Sequence, residues 1–168
     1  MVRMTADAEG GEGVTVTSVI LAVNLALYGA CLLVGGTAEG HAFDFFSPDV
    51  AVVFRLGLQY NPAIDAGAWW RLVLPIFLHL GLLHLLFNCY LLHFAGRLIE
   101  EEMGPRLMLV IYLASGLTGT LASYVLNIGG AGASGAVMGL LGTILARRRL
   151  IDGDFQHPIS RQLLFLIG

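Results

Sequence analysis

The stretch Gly129-Gly130-Ala131-Gly132-Ala133-Ser134-Gly135-Ala136-Val137-Met138-Gly139-Leu140-Leu141-Gly142-Thr143-Ile144-Leu145-Ala146-Arg147-Arg148-Arg149 decides the fold. A glycine-rich run leads into an apolar helix that opens on Ser134 and closes on three arginines. Ser134 lies 13 residues before Arg147. At ~1.5 Å per residue that is ~20 Å, too short to cross a hydrocarbon layer ~30 Å thick. With the arginines at one membrane surface, Ser134 is held inside the bilayer, and the segment before it has to descend into the protein. Non-helical backbone at that depth is tolerated only where it is buried in protein or lines a wet cavity.

Composition supports a membrane reading. The 168 residues are 57% hydrophobic and 12% charged, with a mean hydropathy of +0.78. Soluble chains carry about 25% charged residues, so this is an integral membrane protein of the all-α class. A net charge of −3 says little about a chain that lipid mostly covers. No basic tract points to nucleic acid. Cys31 and Cys89 both sit in apolar runs and read as packing residues, not as a disulfide framework.

Working outward, residues 1–13 are acidic, glycine-rich and polar, and read as a disordered cytoplasmic tail. They lack the basic start of a secretory signal. The transmembrane domain covers 14–168, with spans near 14–34, 72–96, 107–126 and 134–146. Gln162 to Gly168 read as the start of a fifth span. The connection 35–71 carries Phe43, Phe45, Phe46, Trp69 and Trp70 and suits an interfacial outer loop, where amphipathic rings settle. A polar turn from Arg97 to Arg106 holds Glu100 and the helix-stopping pair Gly104-Pro105. Placing the N-terminus inside puts Arg3, Arg97, Arg106, Arg147, Arg148, Arg149 and Arg161 on the inner side and leaves only Arg55 and Arg71 outside. The positive-inside rule therefore favours a cytoplasmic N-terminus, and the small size and short tail suggest a bacterial inner membrane.

His84 lies 13 residues before Arg97, so it stands at the same depth as Ser134. Asn88 is one turn deeper on the same helix face. His79 falls nearer the outer surface and is expected to turn away from that pair. Intramembrane polar groups are costly and mark functional sites. A serine nucleophile needs a base for its proton and donors for the oxyanion. A helix N-terminus offers unpaired N–H groups and the positive end of the helix dipole. Ser134 can thus supply both its hydroxyl and its amide, with His84 and Asn88 as further donors. The glycines before Ser134 permit a tight turn and close approach.

The plainer alternatives are packing roles. Gly135, Gly139 and Gly142 form a small-residue face of the kind membrane helices use to pack, and a lone His84 or Asn88 can serve as an interhelical hydrogen-bond partner. Their matched depth beside a descending glycine loop favours the functional reading. His93 points half a turn from His84 and suits packing or a headgroup contact. His157 falls in a loop that the charge rule places inside.

These residues resemble the rhomboid family of intramembrane serine proteases. The resemblance rests on Trp70-Arg71, on His79, His84 and Asn88 at their spacing, on Gly96-x3-Glu100-x3-Gly104, on the small residues Gly116, Gly119 and Ser123, and on Gly132-Ala133-Ser134-Gly135-x3-Gly139. It implies a rhomboid-like helical bundle with a six-span core around a water-filled cavity open to the outside. Ser134 would be the nucleophile, with His84, Asn88 and the Ser134 amide as the oxyanion site. His79, Trp70, Arg71, Glu100, Gly104, Gly132, Gly135 and Gly139 would support it, Trp70 and Arg71 in the outer loop and Glu100 by holding the inner turn. Substrates would be single-span membrane proteins in the lipid bilayer, and no cofactor or metal is implied.

The family's general base is a histidine on the sixth span, and no histidine of this sequence takes that role. The chain is therefore expected to be truncated, to continue for about two more spans in the natural protein, and to be inactive as 168 residues. Serine-hydrolase labelling of this fragment that Ser134→Ala abolished would contradict that expectation. Two other classes remain open. One is a non-catalytic rhomboid-like protein that binds or routes membrane clients, against which the nucleophile itself argues. The other is a transporter fragment with a discontinuous helix, which predicts an inverted repeat that the sequence does not display.

Overall fold

A computed structural model describes residues 13–35 and 47–150. The elements are α1 (Val16–Gly35), α2 (Val50–Leu56), α3 (Asn61–Asp65), two 3-10 turns (Trp69–Leu72 and Leu74–Ile76), α4 (Leu82–Met103), α5 (Pro105–Val125) and α6 (Ser134–Leu150). No β-strand forms among the described residues; Gln59 and Gly130 make an isolated antiparallel bridge. α1, α4 and α5 are each long and apolar enough to cross a membrane, and α6 at 17 residues spans only about 25 Å. The protein is an integral, multi-pass, all-α membrane protein.

Local chemistry sets these boundaries. Asp49 accepts a hydrogen bond from the Ala51 N–H at 2.7 Å and caps α2. Gly104, at φ +89°, ends α4, and Pro105 opens α5 at a first-turn position where its missing N–H costs nothing. The helix carrying His84 begins at Leu82 and not near Leu72. Pro75 lies in a 3-10 turn and Gly81 is extended at φ −153° and ψ 148°, so the apolar run 72–81 is 3-10 turn and extended chain, not α-helix. This corrects the sequence reading, which saw an unbroken apolar stretch and no reason to stop it. At its other end α4 continues to Met103, so Glu100 is helical and the turn shrinks to Gly104.

α1, α4, α5 and α6 enclose a core built around Ile20, Leu92, Ala95, Met108, Tyr112, Val137, Leu140 and Leu141. Lipid tails are as apolar as leucine, so burial alone does little to hold helices together there; close packing and interhelical hydrogen bonds take over. α5 and α6 meet through small residues. A methyl group on Gly135 would lie 3.4 Å from the Gly119 Cα, and one on Gly139 would lie 1.9 Å from the Ser115 Oγ. Glu100 accepts from the Val16 N–H at 2.7 Å, the Thr17 N–H at 3.0 Å and the Thr17 hydroxyl at 2.6 Å. Its carboxylate caps the start of α1, where unpaired N–H groups and the helix dipole favour an anion. Glu100, near the turn that it was expected to hold, thus ties the end of α4 to α1. At the far end of α6, Arg147 and Arg148 both reach Glu102, Arg148 at 2.7 Å, which joins the ends of α4 and α6.

Of the outer loop, the part from Ser47 to Ala68 is folded against the bundle. Arg71 is buried at 8% exposure. Its guanidinium donates to the carbonyls of Phe54 at 2.9 Å and Leu58 at 2.7 Å and lies 4.5 Å over the Phe54 ring. Trp69 and Trp70 are exposed on its outside. Residues 1–12, Phe43, Phe45, Phe46, His157 and the fifth-span segment 162–168 lie outside the described residues.

Candidate active site

α6 begins where the descending segment ends. The Val137 N–H donates to the Ala133 carbonyl at 2.9 Å, so Ala133 occupies the cap position and Ser134 the first helical one. The Ser134 N–H has no acceptor within its own helix, as the geometry of a helix start requires. The segment is fixed by bonds from the chain between Gly57 and His79. The Gln59 N–H donates to the Gly130 carbonyl at 3.3 Å, the Gly132 N–H to the Pro75 carbonyl at 2.9 Å, and the Ala133 N–H to Nε2 of His79 at 3.4 Å.

That last bond fixes the His79 tautomer, since an accepting Nε2 leaves the proton on Nδ1. His79 is buried at 2% exposure, and its ring stands 5.4 Å from that of His84 at 68° between planes. The expectation that His79 turns away from His84 assumed a continuous helix. Because the chain is irregular until Leu82, the two rings meet edge to face.

His84 comes against the segment itself. Gly132 has φ +148°, a conformation that other residues rarely adopt, and a methyl group there would lie 2.5 Å from Cε1 of His84. Close approach of the imidazole therefore requires glycine at this position. His84 and Ser134 are both exposed. Asn88 is buried, at 2% exposure. Its Nδ2 donates one hydrogen to the His84 carbonyl at 3.0 Å, leaving a second hydrogen on the same nitrogen for another acceptor. His93 is exposed near the start of α1, in a recess shared with Thr15, Ser18, Arg97 and Glu101, well away from Ser134. Among the described residues no three His, Cys, Asp or Glu side chains cluster as metal ligands.

A cavity of about 250 Å³ opens beside Ser134. Gln59, the stretch Gly130 to Gly132, and Gly116, Gly119, Thr120 and Ser123 of α5 line it. Gln59, Asn61, Thr120 and Tyr124 are the residues that reading the sequence did not single out. The Gln59 amide donates to the Thr120 carbonyl at 3.1 Å, and the Asn61 amide donates to the Tyr124 carbonyl at 2.8 Å. The Thr120 hydroxyl donates to the Leu72 carbonyl at 2.6 Å, and the Tyr124 hydroxyl to Asp65. Together they strap the loop to the end of α5. Polar residues inside the loop pattern Gln59-Tyr60-Asn61-Pro62 were a signal, but nothing in the sequence named their partners.

Comparison with known proteins bears on the same elements. Residues 66–168 match the family model described as the Rhomboid domain. The chain is 43% identical to rhomboid protease GluP of Bacillus subtilis over 100 residues, 59% of this chain and 20% of GluP. It is 36% identical to the putative rhomboid protease YdcA of the same organism, over 64% of this chain and 58% of YdcA. It is 43% identical to RHOMBOID-like protein 1 of Arabidopsis thaliana, over 76% of this chain and 38% of that protein. The chain thus spans between a fifth and three-fifths of the length of these relatives. It belongs to the rhomboid family.

Proposed function

We propose that the whole protein is an intramembrane serine endopeptidase with Ser134 as its nucleophile. The observation that carries this reading is the placement of a serine at the first position of the short helix α6, with the His84 ring packed against the glycine segment that leads to it. In the reaction, Ser134 Oγ attacks a peptide carbonyl and passes its proton to a base. Oxygen charge then develops next to the Ser134 N–H, a ring N–H of His84 and the second Nδ2 hydrogen of Asn88. Fixed donors of this kind each contribute roughly 3 kcal/mol to transition-state stabilisation. The leaving amine takes the proton, and water repeats the cycle on the acyl-serine.

The general base is a histidine on a later span, which completes a serine–histidine dyad. His79 is committed to the Ala133 N–H and His93 is remote, so neither serves. The substrates are single-span membrane proteins whose helices unwind near the cleaved bond, since an extended peptide is needed at a site below the membrane surface. The N-terminus lies in the cytoplasm and Ser134 opens toward the outer side, as the arginines at the far end of α6 favour. The location in this reading is a bacterial cell membrane. Residues 14–168 belong to one transmembrane domain, of which the span with the base is a further part.

The test is cleavage of a single-span substrate by the full-length protein in liposomes. Loss of cleavage in Ser134→Ala is the expected result, and retained cleavage in that variant refutes the nucleophile assignment. A helper that only binds membrane clients would show no cleavage in either form.

A further inference from the structure

The descending segment has few side chains to grip: Ala131 packs against the cluster of Cys31, Val53 and Leu78, and Ala133 is buried in the main core. Gly129, Gly130 and Gly132 have no side chains, and glycine backbone carries the most freedom to lose on folding. Between Gly129 and Gly132 the segment is also placed by backbone bonds, and the one farthest from Ser134 comes from Gln59. Gln59 is buried, at 4% exposure. A buried amide needs a partner, and its Nε2 finds the Thr120 carbonyl of α5 at 3.1 Å. That carbonyl has a second lone pair beyond the one its helix uses. The side chain is thereby fixed on α5 while the N–H of the same residue donates to the Gly130 carbonyl at 3.3 Å.

We propose that Gln59 is a positioning residue for Ser134: it registers the glycine segment, and hence the nucleophile, against α5. This inference rests on Ser134 being the nucleophile. The bonds close a circuit. α5 holds Gln59, Gln59 holds Gly130, the segment leads to Ser134 and Gly135, and Gly135 packs on Gly119 of α5. A role limited to anchoring the outer loop is the plainer alternative. That loop already has anchors in the Arg71 bonds to Phe54 and Leu58 and in the Thr120 hydroxyl bond to Leu72. Among the described residues, the stretch from Gly129 to Ala131 makes no backbone bond to α5 of its own, and its one backbone bond is the Gly130 carbonyl to Gln59.

The experiment uses full-length protein in liposomes with a single-span substrate, and Ser134→Ala as the blank. Gln59→Leu and Gln59→Met both remove the donor, and the unbranched methionine fills nearly the same space if leucine impairs folding. A displacement of about 1 Å at a reacting group can cost ~100-fold in rate. A smaller shift transmitted through Gly130 is expected to lower kcat per Ser134 titrated by a fluorophosphonate about tenfold, with KM held within about twofold. Unchanged kcat with a lower melting temperature overturns the inference, because the residue would then only stabilise the loop. Raised KM with unchanged kcat also overturns it, because Gln59 would then meet the substrate. If the natural protein cleaves nothing, the protease reading fails by itself. Hydrogen exchange over residues 129–135 then decides the Gln59 question: faster exchange in Gln59→Met supports positioning, and unchanged exchange contradicts it.

Discussion

Gly132→Ala tests the link between backbone geometry and chemistry. At φ +148° an L-residue is strained by about 1–3 kcal/mol. The added methyl would also stand 2.5 Å from Cε1 and 3.0 Å from Nε2 of His84, against an ordinary carbon–carbon separation of about 3.5 Å. Something must retreat by roughly 1 Å, and the imidazole, at the end of a side chain, yields more readily than backbone. The ring is then displaced from the place where it would donate to the oxyanion, which is expected to cost about 100-fold in kcat/KM. The stability loss stays near the strain energy, so the variant still folds. Gly130→Ala is the control in the same segment, since a methyl there meets no atom within 4 Å. The assay is steady-state cleavage by the full-length protein in liposomes, with thermal unfolding measured alongside. Natural kcat/KM in Gly132→Ala, or an equal loss in Gly130→Ala, refutes the reasoning.

Gly139→Ala places a methyl 1.9 Å from the Ser115 Oγ and 2.2 Å from its Cβ, an overpacking expected to destabilise by about 1–3 kcal/mol. Thermal unfolding should recover in Gly139→Ala with Ser115→Gly, and failure to recover would locate the clash elsewhere. Glu100→Ala removes three hydrogen bonds at the start of α1 and is expected to cost about 2 kcal/mol. It should loosen α1 from α4 in hydrogen exchange, and unchanged protection of α1 would contradict the capping role. Ser134→Ala should abolish cleavage while leaving the melting temperature within a degree or two, which separates a chemical role from a packing one.

The grouping of Ser134, His84 and Gly132 was legible in the sequence because two arginine markers fixed the depth of two helices, and helical rise is a constant. The same arithmetic failed for His79, because it assumes a helix. Pro75 and Gly81 were the available warnings, yet a uniformly apolar stretch has no periodicity with which to tell helix from irregular chain. Glu100 was visible as a carboxylate near a helix end, but its partners on α1 lie more than 80 positions earlier in the chain, beyond any local pattern. The strap formed by Gln59, Asn61, Thr120 and Tyr124 was illegible for a related reason. Its acceptors are mostly backbone carbonyls, which every residue possesses, so sequence offers no complementary type to match.

Ser134 as an activated nucleophile at the start of α6 is the central claim, and the most direct measurement is covalent. Full-length protein in native membranes is treated with a fluorophosphonate, digested, and mapped by mass spectrometry. The expected result is a single adduct on Ser134, lost on prior denaturation and suppressed in Gly132→Ala. Catalytically competent protein that cleaves substrate yet carries no adduct at Ser134, or carries it on another serine, would contradict the account.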